Sequence, residues 1–542
     1  MRPPRDALLL AALAGLLLLV GLGGVALTDR DEGANAEAAR EMLVEHSWIS
    51  PTLGGAPRFA KPAFVYWLTA GAYAVLGVSE TAARLPSAVA ALLLVLVQHA
   101  FVRWAFGREV AWRAALVLLL SVEFVAIGRM ALTDATLALW TTVAGYTFMR
   151  GWWGAPPRGR WYALAWIAAG LAALAKGPVG LLIPLGGVLL YLLLAGGLRQ
   201  AWREAWPLRG LALFLLVAAP WYAAMFWIHG WDYAARARGE TIGRVVRPVT
   251  GPGGTFLFYV PVLLLGFFPW SAFLPEAVVG ALRQARARAR RSRADAVTVF
   301  AAAWLLAGLA LFSVAQTRLP HYVLPLFPAA ALLVAASWPA LPSRLARSLL
   351  AGTALVVGIA LAGAWVASDL FVRLVAPAYP AAPGASLPAS ALVVAVVIAA
   401  AGAVALLRDG ARLFTTLAVL SAIVLAVGFQ ISLPAFSEEF VAPAGELATH
   451  AARTARSCDT LAAVGPYRPS LMFYARRPVT FLGRRDDERL VELAARPGRL
   501  FVIAPAALVP ALPPAGKALT VLEARGGYVL LASDATLPGC AA

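Results

Sequence analysis

Long apolar runs dominate this chain and limit what it can fold into. Of its 542 residues, 61% are hydrophobic, and the mean hydropathy is +0.76, whereas a soluble domain is only about half apolar. Several runs exceed the roughly 20 residues that a helix needs to cross a bilayer. The sequence therefore predicts an all-α polytopic membrane domain over residues 1–432.

Thirteen apolar segments have the length and composition of membrane spans. The short loops on one side of these spans carry most of the basic residues, and the positive-inside rule places that side in the cytoplasm, together with the N-terminus. An odd number of spans then places the C-terminal segment outside. The predicted spans are approximately 7–27, 82–103, 112–128, 131–150, 161–175, 178–196, 210–229, 255–280, 296–315, 322–338, 348–368, 388–407 and 413–432.

The net charge of +18 does not indicate a nucleic-acid partner. Segments that bind nucleic acid interleave basic residues with aromatic side chains that stack on bases, and no basic stretch here has that pattern. The basic loops, including RQARARARRSR at 283–293, are explained by anionic membrane lipids at the cytoplasmic face. The five histidines lack metal-ligand spacing, so the sequence does not support a zinc site and assigns no residue to a metal. It indicates no particular cofactor and leaves a divalent-metal requirement undecided.

Three long segments lie outside the spans. Residues 28–81 combine a helical stretch, a Gly/Pro-rich loop and an aromatic helix expected at the membrane interface. Residues 230–254 are polar and are predicted to form a mobile loop. From 433 to 542, short β-rich runs alternate with helical pieces, which predicts a small extracytoplasmic α/β domain. It holds both cysteines, Cys458 and Cys540, and the sequence does not decide whether they pair.

Several outward loops place a cation beside proline or glycine, although outward loops should be poor in lysine and arginine. Each cation alone could snorkel at the end of a span. Together they indicate an electropositive outward cavity, and phosphate is the natural ligand because ammonium and guanidinium groups bind its oxygens well. The cations concerned are Arg58, Lys61, Arg129, Lys176 and Arg318, the last followed by His321.

Two acids are predicted to face the same side. Asp31 lies in the stretch DRDEGANAEAAREM, where Asp29 and Glu32 have the spacing of a capping box. Asp31 would then occupy the first helical turn, where the helix dipole favours an anion, and Asn35 would share its face. Asp134 lies in the turn between the third and fourth spans. Each acid could merely begin a helix, but two carboxylates beside several cations could also perform acid–base chemistry on a phosphate-linked substrate.

These features occur in order over residues 1–340, in motifs that resemble a known family. The helix DEGANAEAAREM is followed by SPTLGGAPRFAKPAFVYWLTAGAYAVLGV, RMALTDATLALW, LAALAKGPVGLLIPL and RLPHYVLPLFPAAALL. This series resembles the lipid-carrier-dependent glycosyltransferases of the GT-C fold. It is most similar to the bacterial 4-amino-4-deoxy-L-arabinose transferases that modify lipid A, and more distantly to the protein O-mannosyltransferases.

The resemblance implies a multi-pass enzyme of the bacterial inner membrane with a periplasmic active site and a periplasmic C-terminal domain. Such an enzyme transfers a hexosyl or pentosyl group from a polyprenyl-phosphate donor, such as an undecaprenyl-phosphate sugar. The acceptor would be an envelope lipid, glycan or protein. The implied reaction is a single displacement with inversion at the anomeric carbon.

The resemblance also implies roles for individual residues. Asp31 matches the acid regarded as catalytic, and Asp134 matches the second functional acid. Lys61 matches the lysine thought to contact the carrier phosphate, and Arg58 and Arg318 are further phosphate-binding candidates. The remaining candidates for the donor or acceptor pocket are Glu32, Asn35, Lys176, His321 and Tyr322.

The sequence departs from the family at four positions. Ala34 and Asn35 stand where the family often has arginine and tyrosine, and Arg58 and Ala60 replace the tyrosine and glutamate of its YxEKPP motif. These departures indicate a different sugar or acceptor. Two other functions share part of the pattern, namely a transporter or flippase for lipid-linked sugars and a polymerase or ligase of surface polysaccharide. The acid-bearing outward helix favours the transferase over both.

Overall fold

The computed structural model describes residues 5–205, 207–246, 255–286, 292–340, 343–375, 377–407, 410–483 and 486–533. Residues 247–254 of the predicted loop, part of the basic run at 283–293, and Cys540 lie outside these ranges. The pairing of Cys458 and Cys540, which the sequence leaves undecided, therefore involves a residue outside the described ranges.

Helices form most of the chain before residue 442. In order, they are α1 (Arg5–Leu18), α2 (Asp31–Val44), α3 (Phe64–Leu76), α4 (Glu80–Phe106), α5 (Arg108–Leu119), α6 (Val122–Gly128), α7 (Asp134–Trp153), α8 (Gly159–Lys176), α9 (Val179–Ala195), α10 (Leu198–Glu204), α11 (Pro207–Val246), α12 (Tyr259–Gly266), α13 (Leu274–Arg286), α14 (Arg293–Val314), α15 (Phe327–Ser337), α16 (Arg344–Val366), α17 (Ser368–Val375), α18 (Ser390–Leu407), α19 (Gly410–Val427) and α20 (Leu433–Phe436). Short 3-10 helices cover Phe256–Phe258, Trp270–Phe273, Pro320–Leu326 and Trp338–Ala340.

Among the described residues, seven helices are long and apolar enough to cross a membrane, or nine if each of two bent pairs counts as one span. The predicted helical membrane architecture is confirmed at this level, and the count of thirteen stays a prediction. One bent pair is α5 and α6, at 66°, and the other joins Phe256–Gly266 to Trp270–Arg286 at 119°. The second break contains Pro269, whose ring and missing N–H interrupt a helix.

The first predicted span, 7–27, is interrupted because α1 ends at Leu18. The Arg129 guanidinium donates hydrogen bonds to the carbonyls of Leu17, Val20 and Gly21, at 2.9, 2.8 and 2.9 Å. Carbonyls at a helix end lack intrahelical hydrogen-bond donors, and the Arg129 guanidinium provides donors for these three. Arg129 is one of the cations predicted to face outward, and the structure engages its donors at the end of α1.

The predicted loop at 230–254 is wrong over its described part, because residues up to Val246 continue α11. The helix bends at Gly230, which has φ 56° and ψ −139°, a conformation open to glycine because it lacks a Cβ. Beyond the bend, the Asp232 and Arg236 side chains pair at 3.0 Å with i,i+4 spacing, which favours a helix.

A small hairpin precedes the aromatic helix α3. Strands β1 (Thr52–Leu53) and β2 (Ala56–Pro57) pair antiparallel, joined by Gly54 and Gly55, both with positive φ. Two central residues of positive φ favour consecutive glycines. The Glu41 carboxylate of α2 accepts hydrogen bonds from both glycine N–H groups, at 2.6 and 3.3 Å. This contact fixes the hairpin against α2.

The C-terminal part of the chain contains a five-stranded sheet of order β4-β3-β5-β7-β6. Strand β3 is parallel to β4 and β5, whereas β7 is antiparallel to β5 and β6. One apolar cluster joins the sheet to α21 and α22, and a second joins its other face to α23. The elements are α21 (Ala442–Thr454), β3 (Thr460–Val464), α22 (Ser470–Ala475), β4 (Thr480–Leu482), α23 (Asp487–Ala494), β5 (Leu500–Pro505), α24 (Pro514–Lys517), β6 (Thr520–Arg525) and β7 (Tyr528–Ala532).

The predicted domain boundary at 432 falls inside a helical run that extends from 412 to 454. The run includes two π-helical turns, Gly428–Ser432 and Ser437–Val441. The last apolar helix is therefore continuous with the first helix that packs on the sheet.

Candidate active site

The start of α2 is held by tertiary contacts. The helix begins at Asp31, and its N-cap is Arg30, with φ 61° and no side-chain capping bond. The predicted capping box of Asp29 and Glu32 is therefore wrong. The Asp29 carboxylate instead accepts hydrogen bonds from Arg468 and from the backbone N–H of Ser470, partners more than 400 residues away that no local pattern reveals.

Glu32 is an anchor of this helix start. Its side chain is 1% exposed and accepts hydrogen bonds from the Arg84 Nε and Nη2 atoms, at 2.8 and 3.1 Å. It also accepts from the N–H and hydroxyl of Thr28 and from the Ala131 N–H. All five hydrogen bonds come from the protein's own groups, so Glu32 supports the helix start. Its place in the donor or acceptor pocket stays a prediction.

Asp31 is partly buried and surrounded by positive charge. Burial raises the pKa of its carboxyl, and the charge of Lys61 opposes this effect most strongly. Weaker contributions that lower the pKa come from His321, Lys176 and Arg58. The balance lies below the ordinary value, because opposite charges favour the ionised form. Asp31 is thus a carboxylate at neutral pH.

Asp134 opens α7 and is almost fully buried, at 1% exposed. One of its oxygens, Oδ1, lies 2.5 Å from the Lys176 Nζ atom, and the other lies 4.0 Å from the His321 Nε2 atom. Lys176 is the last residue of α8, where Gly177 with φ 82° ends the helix. The Lys176 ammonium also lies 4.3 Å from the centroid of the Tyr322 ring. The structure therefore brings together four predicted residues.

A second group of polar side chains links α2 to the segment after the hairpin. Arg58 Nε donates to the Tyr66 hydroxyl at 3.0 Å, and Arg58 Nη2 reaches the Asn35 Oδ1 atom at 3.4 Å. Asn35 Nδ2 donates to the Ala131 carbonyl at 3.0 Å. Asn35 is 4% exposed, so it orients Arg58 beside Asp31. Tyr66 was not predicted, because one tyrosine in an aromatic helix carries no distinguishing signal.

Arg318 stands just before the 3-10 helix Pro320–Leu326. Its Nη2 atom donates to the Ser313 carbonyl at 2.8 Å. Its Nε and Nη1 atoms have no hydrogen-bond partner among the described residues. Both atoms are buried, and Arg318 as a whole is only 7% exposed. Buried guanidinium donors without partners are costly, so this side chain retains capacity for an anion.

A cavity of about 380 Å³ lies beside Lys176 and Tyr322. Its polar lining includes Lys61, Lys176 and Tyr322, and its walls are largely apolar. Glu240 and Thr241, from the part of α11 beyond Gly230, complete it and were missed by the loop prediction. The other lining residues are Ala60, Leu137, Pro178, Val179, Leu182, Leu311, Phe312, Ala315 and Thr317. A larger crevice, of about 760 Å³, lies among α1, α5 and α19, and its described lining includes none of the predicted site residues.

Comparison with known proteins shows one matching family and several relatives of similar sequence. Residues 60–223 match the family described as dolichyl-phosphate-mannose-protein mannosyltransferase. The undecaprenyl phosphate-alpha-4-amino-4-deoxy-L-arabinose arabinosyl transferase of Pectobacterium carotovorum is 32% identical over 372 residues, which cover 65% of this chain and 64% of that protein. The protein of the same name from Edwardsiella ictaluri is 30% identical over 342 residues, covering 60% of this chain and 58% of that protein. The matches thus span about three fifths of these relatives' length.

Two solved structures have a similar fold. ArnT from Cupriavidus metallidurans, bound to undecaprenyl phosphate, has a TM-score of 0.77 at 24% identity, covering 98% of this chain and 99% of that one. The archaeal oligosaccharyltransferase AglB from Archaeoglobus fulgidus has a TM-score of 0.50 at 13% identity, covering 93% and 69%. The chain therefore has the GT-C fold and resembles the aminoarabinose transferases and, more distantly, the protein O-mannosyltransferases.

Proposed function

We propose that the chain is an integral-membrane glycosyltransferase that moves a sugar from a polyprenyl-phosphate donor to an envelope acceptor. The donor is of the undecaprenyl-phosphate type named for the sequence relatives and for the ligand of the similar ArnT structure. The acceptor is a lipid A-like glycolipid, another glycan or a protein. The transferred group is a hexose or pentose.

The lining of the 380 Å³ cavity carries this proposal. Two ammonium groups, those of Lys61 and Lys176, and one carboxylate, that of Glu240, lie at a cavity whose remaining walls are mostly aliphatic or aromatic. A phosphate joined to a long hydrocarbon has this combination of properties, because its oxygens need cations and its tail needs apolar surface. A soluble nucleotide sugar would instead need polar walls.

The mechanism is a single displacement at the anomeric carbon. An acceptor oxygen forms a bond to that carbon while the bond to the carrier phosphate breaks, which inverts the configuration. The departing phosphate gains negative charge, and Lys61, Arg58 and Arg318 stabilise it electrostatically. Asp31 takes the proton of an acceptor hydroxyl. An acceptor phosphate would already be anionic, and Asp31 would then act by positioning.

Asp134 serves this site through Lys176. Its carboxylate pairs with the Lys176 ammonium at 2.5 Å and holds that cation at the cavity. His321 lies near the Asp134 carboxylate, and the Tyr322 ring lies near the Lys176 ammonium. We assign Lys176, His321 and Tyr322 to the donor pocket. Asp134 supports the positive charge of Lys176 there. The family resemblance is what suggests a more direct catalytic part for Asp134.

The proposed location is the bacterial inner membrane. The N-terminus is cytoplasmic, and thirteen spans place the site and the α/β domain of residues 433–542 in the periplasm. The basic loops on the opposite side support this orientation. The only partners proposed are the donor, the acceptor and membrane lipids.

The test uses the purified full chain in lipid nanodiscs. It is incubated with a panel of polyprenyl-phosphate sugars and extracted envelope acceptors, and the product masses are read. A product heavier than its acceptor by one sugar residue supports the proposal, and loss of that product in D31N ties it to this site. Movement of labelled lipid across liposomes without any new glycosidic product would establish transport instead, and a ladder of repeat additions would establish a polymerase.

A further inference from the structure

The loop that follows β3 reaches across to the start of the acid-bearing helix. Arg468 Nη1 donates to the Asp29 Oδ2 atom at 2.9 Å, and the Ser470 N–H donates to Asp29 Oδ1 at 3.1 Å. Both oxygens of Asp29 are therefore held by the C-terminal part of the chain. Asp31, the proposed acid, lies two residues further along.

Arg468 is itself firmly placed. Its side chain is 6% exposed, and that of Asp29 is 14% exposed, so water screens the pair little. The guanidinium lies 5.7 Å from the Tyr379 ring centroid and 5.3 Å from that of Tyr528, within the range of cation–π attraction. Its Nη2 atom donates to the Ala378 carbonyl. Arg468 is thus held in place by two aromatic rings and a backbone carbonyl while it bonds Asp29.

Packing reinforces this contact on both sides of Asp31. A Cβ added to Gly33 would lie 2.6 Å from the Ser470 nitrogen, so the first turn of α2 approaches the loop as closely as only glycine allows. On the other side, the Leu27 N–H donates to the Tyr474 hydroxyl at 2.8 Å. The backbone is therefore held before and after the proposed acid.

We propose that Arg468 is a positioning residue for sugar transfer, acting through Asp29 on the carboxylate of Asp31. The inference rests on the proposed function. Arg30, between the two acids, has φ 61°, a conformation that an arginine adopts only where its surroundings impose it. Release of Asp29 removes that restraint, so the first turn of α2 rotates or frays and Asp31 leaves its place beside Lys61.

The experiment compares three variants with the wild-type full chain in nanodiscs. R468Q and D29N break the contact from opposite sides, and R468K retains a single donor. D29N leaves the contacts of Arg468 with Ala378 and the two tyrosine rings in place. An effect of D29N therefore cannot be attributed to unfolding of the C-terminal part. R477Q is the matched control, because Arg477 donates to the carbonyls of Arg456 and Asp459 within its own part of the chain.

Two readouts separate positioning from general stability. Hydrogen exchange of the amides of residues 31–36, measured without substrate, should accelerate in R468Q and D29N and stay at the wild-type rate in R477Q. For transfer, kcat should fall about 10- to 100-fold in R468Q and D29N, with KM for the donor within about twofold, since uniform binding is untouched. R468K should be intermediate, and R468Q/D29N should be no worse than either single variant.

Unchanged exchange in both single variants would overturn the contact, and faster exchange with unchanged kcat would overturn the positioning role. A wild-type chain that transfers no sugar would overturn the proposed function, and the role that depends on it, whatever the exchange data show. A rise in the donor KM with constant kcat would make Arg468 part of donor binding and would also contradict the proposal.

Discussion

The Lys176 ammonium lies 2.5 Å from the Asp134 carboxylate, with 11% and 1% of the two side chains exposed. Removing one partner of a buried ion pair strands the other charge, which costs about 3–5 kcal/mol. We therefore expect D134N and K176Q each to lower the free energy of unfolding by about that amount. Their double variant should lose less than the sum, with a coupling of about 0.5–3 kcal/mol.

The measurement is unfolding by a denaturing detergent from lipid micelles. D232N is the control, because the pair between Asp232 and Arg236 lies on the exposed face of α11, with side chains 60% and 64% exposed. An exposed i,i+4 pair contributes about 0.3–0.5 kcal/mol. Additive losses in the double variant would show that the two charges do not depend on each other.

Asp31 should contribute to stability in a pH-dependent way. Its pKa in the folded chain lies below the ordinary value, so the ionised form stabilises the fold. This contribution is complete above the unfolded pKa of about 3.9 and is lost as pH falls through the lower folded pKa. The free energy of unfolding of wild type minus that of D31N should be constant between about pH 5 and 7 and decrease below about pH 4. A difference that grows on acidification would reverse the sign of the pKa shift.

Asp31 should also determine the rate of transfer. If the acceptor is a hydroxyl, D31N should reduce kcat by about 10²- to 10⁴-fold, the usual contribution of a general base. A phosphate acceptor needs no base, so D31N should lower kcat less with that acceptor. Comparison of the two acceptor classes in the same preparation checks this. Full transfer by D31N with both would remove Asp31 from the mechanism.

Lys61 should bind the carrier phosphate. K61Q should weaken binding of undecaprenyl phosphate by about 1.5–3 kcal/mol, the contribution of a hydrogen bond to a charged group, and K61E should abolish it. Native mass spectrometry of the protein with titrated lipid gives the affinity. The control is K517Q, which changes an exposed lysine in the C-terminal part. Equal affinities for wild type and K61Q would place the phosphate elsewhere.

The apolar walls of the cavity should bind the hydrocarbon. Leu182 lines it, and the larger ring in L182W should occupy the tail's path and weaken lipid binding by at least about tenfold, or ~1.4 kcal/mol. L193W is the matched control on the same helix, because Leu193 is 62% exposed and is not among the cavity's lining residues. Equal loss in both variants would indicate a general effect on α9.

The length of the apolar runs and the charge distribution predicted the helical membrane architecture, because apolar runs and basic loops are local properties of the sequence. The candidate site depended on the family resemblance. Chemistry alone left Lys176 and Arg129 equivalent, because each is a cation beside a glycine in a loop predicted to face outward. The structure separates them, since Lys176 lies at the cavity and Arg129 ends α1.

Other features could not be predicted because they depend on residues far apart in the chain. Asp29 has the spacing of a helix cap, yet its carboxylate accepts a hydrogen bond from Arg468, 439 positions away, and does not cap the helix. The helix beyond Gly230 was missed for a different reason. Its polar composition is typical of a loop, whereas an amphipathic surface helix has nearly the same composition and differs only in periodicity.

The five hydrogen bonds received by Glu32 have a consequence for folding. They come from the segment before α2, from α4 and from the turn before α7, so three separate stretches share one carboxylate. None of these stretches can leave without exposing a buried charge. The region around the start of α2 should therefore open cooperatively, as a single unit of structure, and the proposed sugar transfer should be lost in one step on heating.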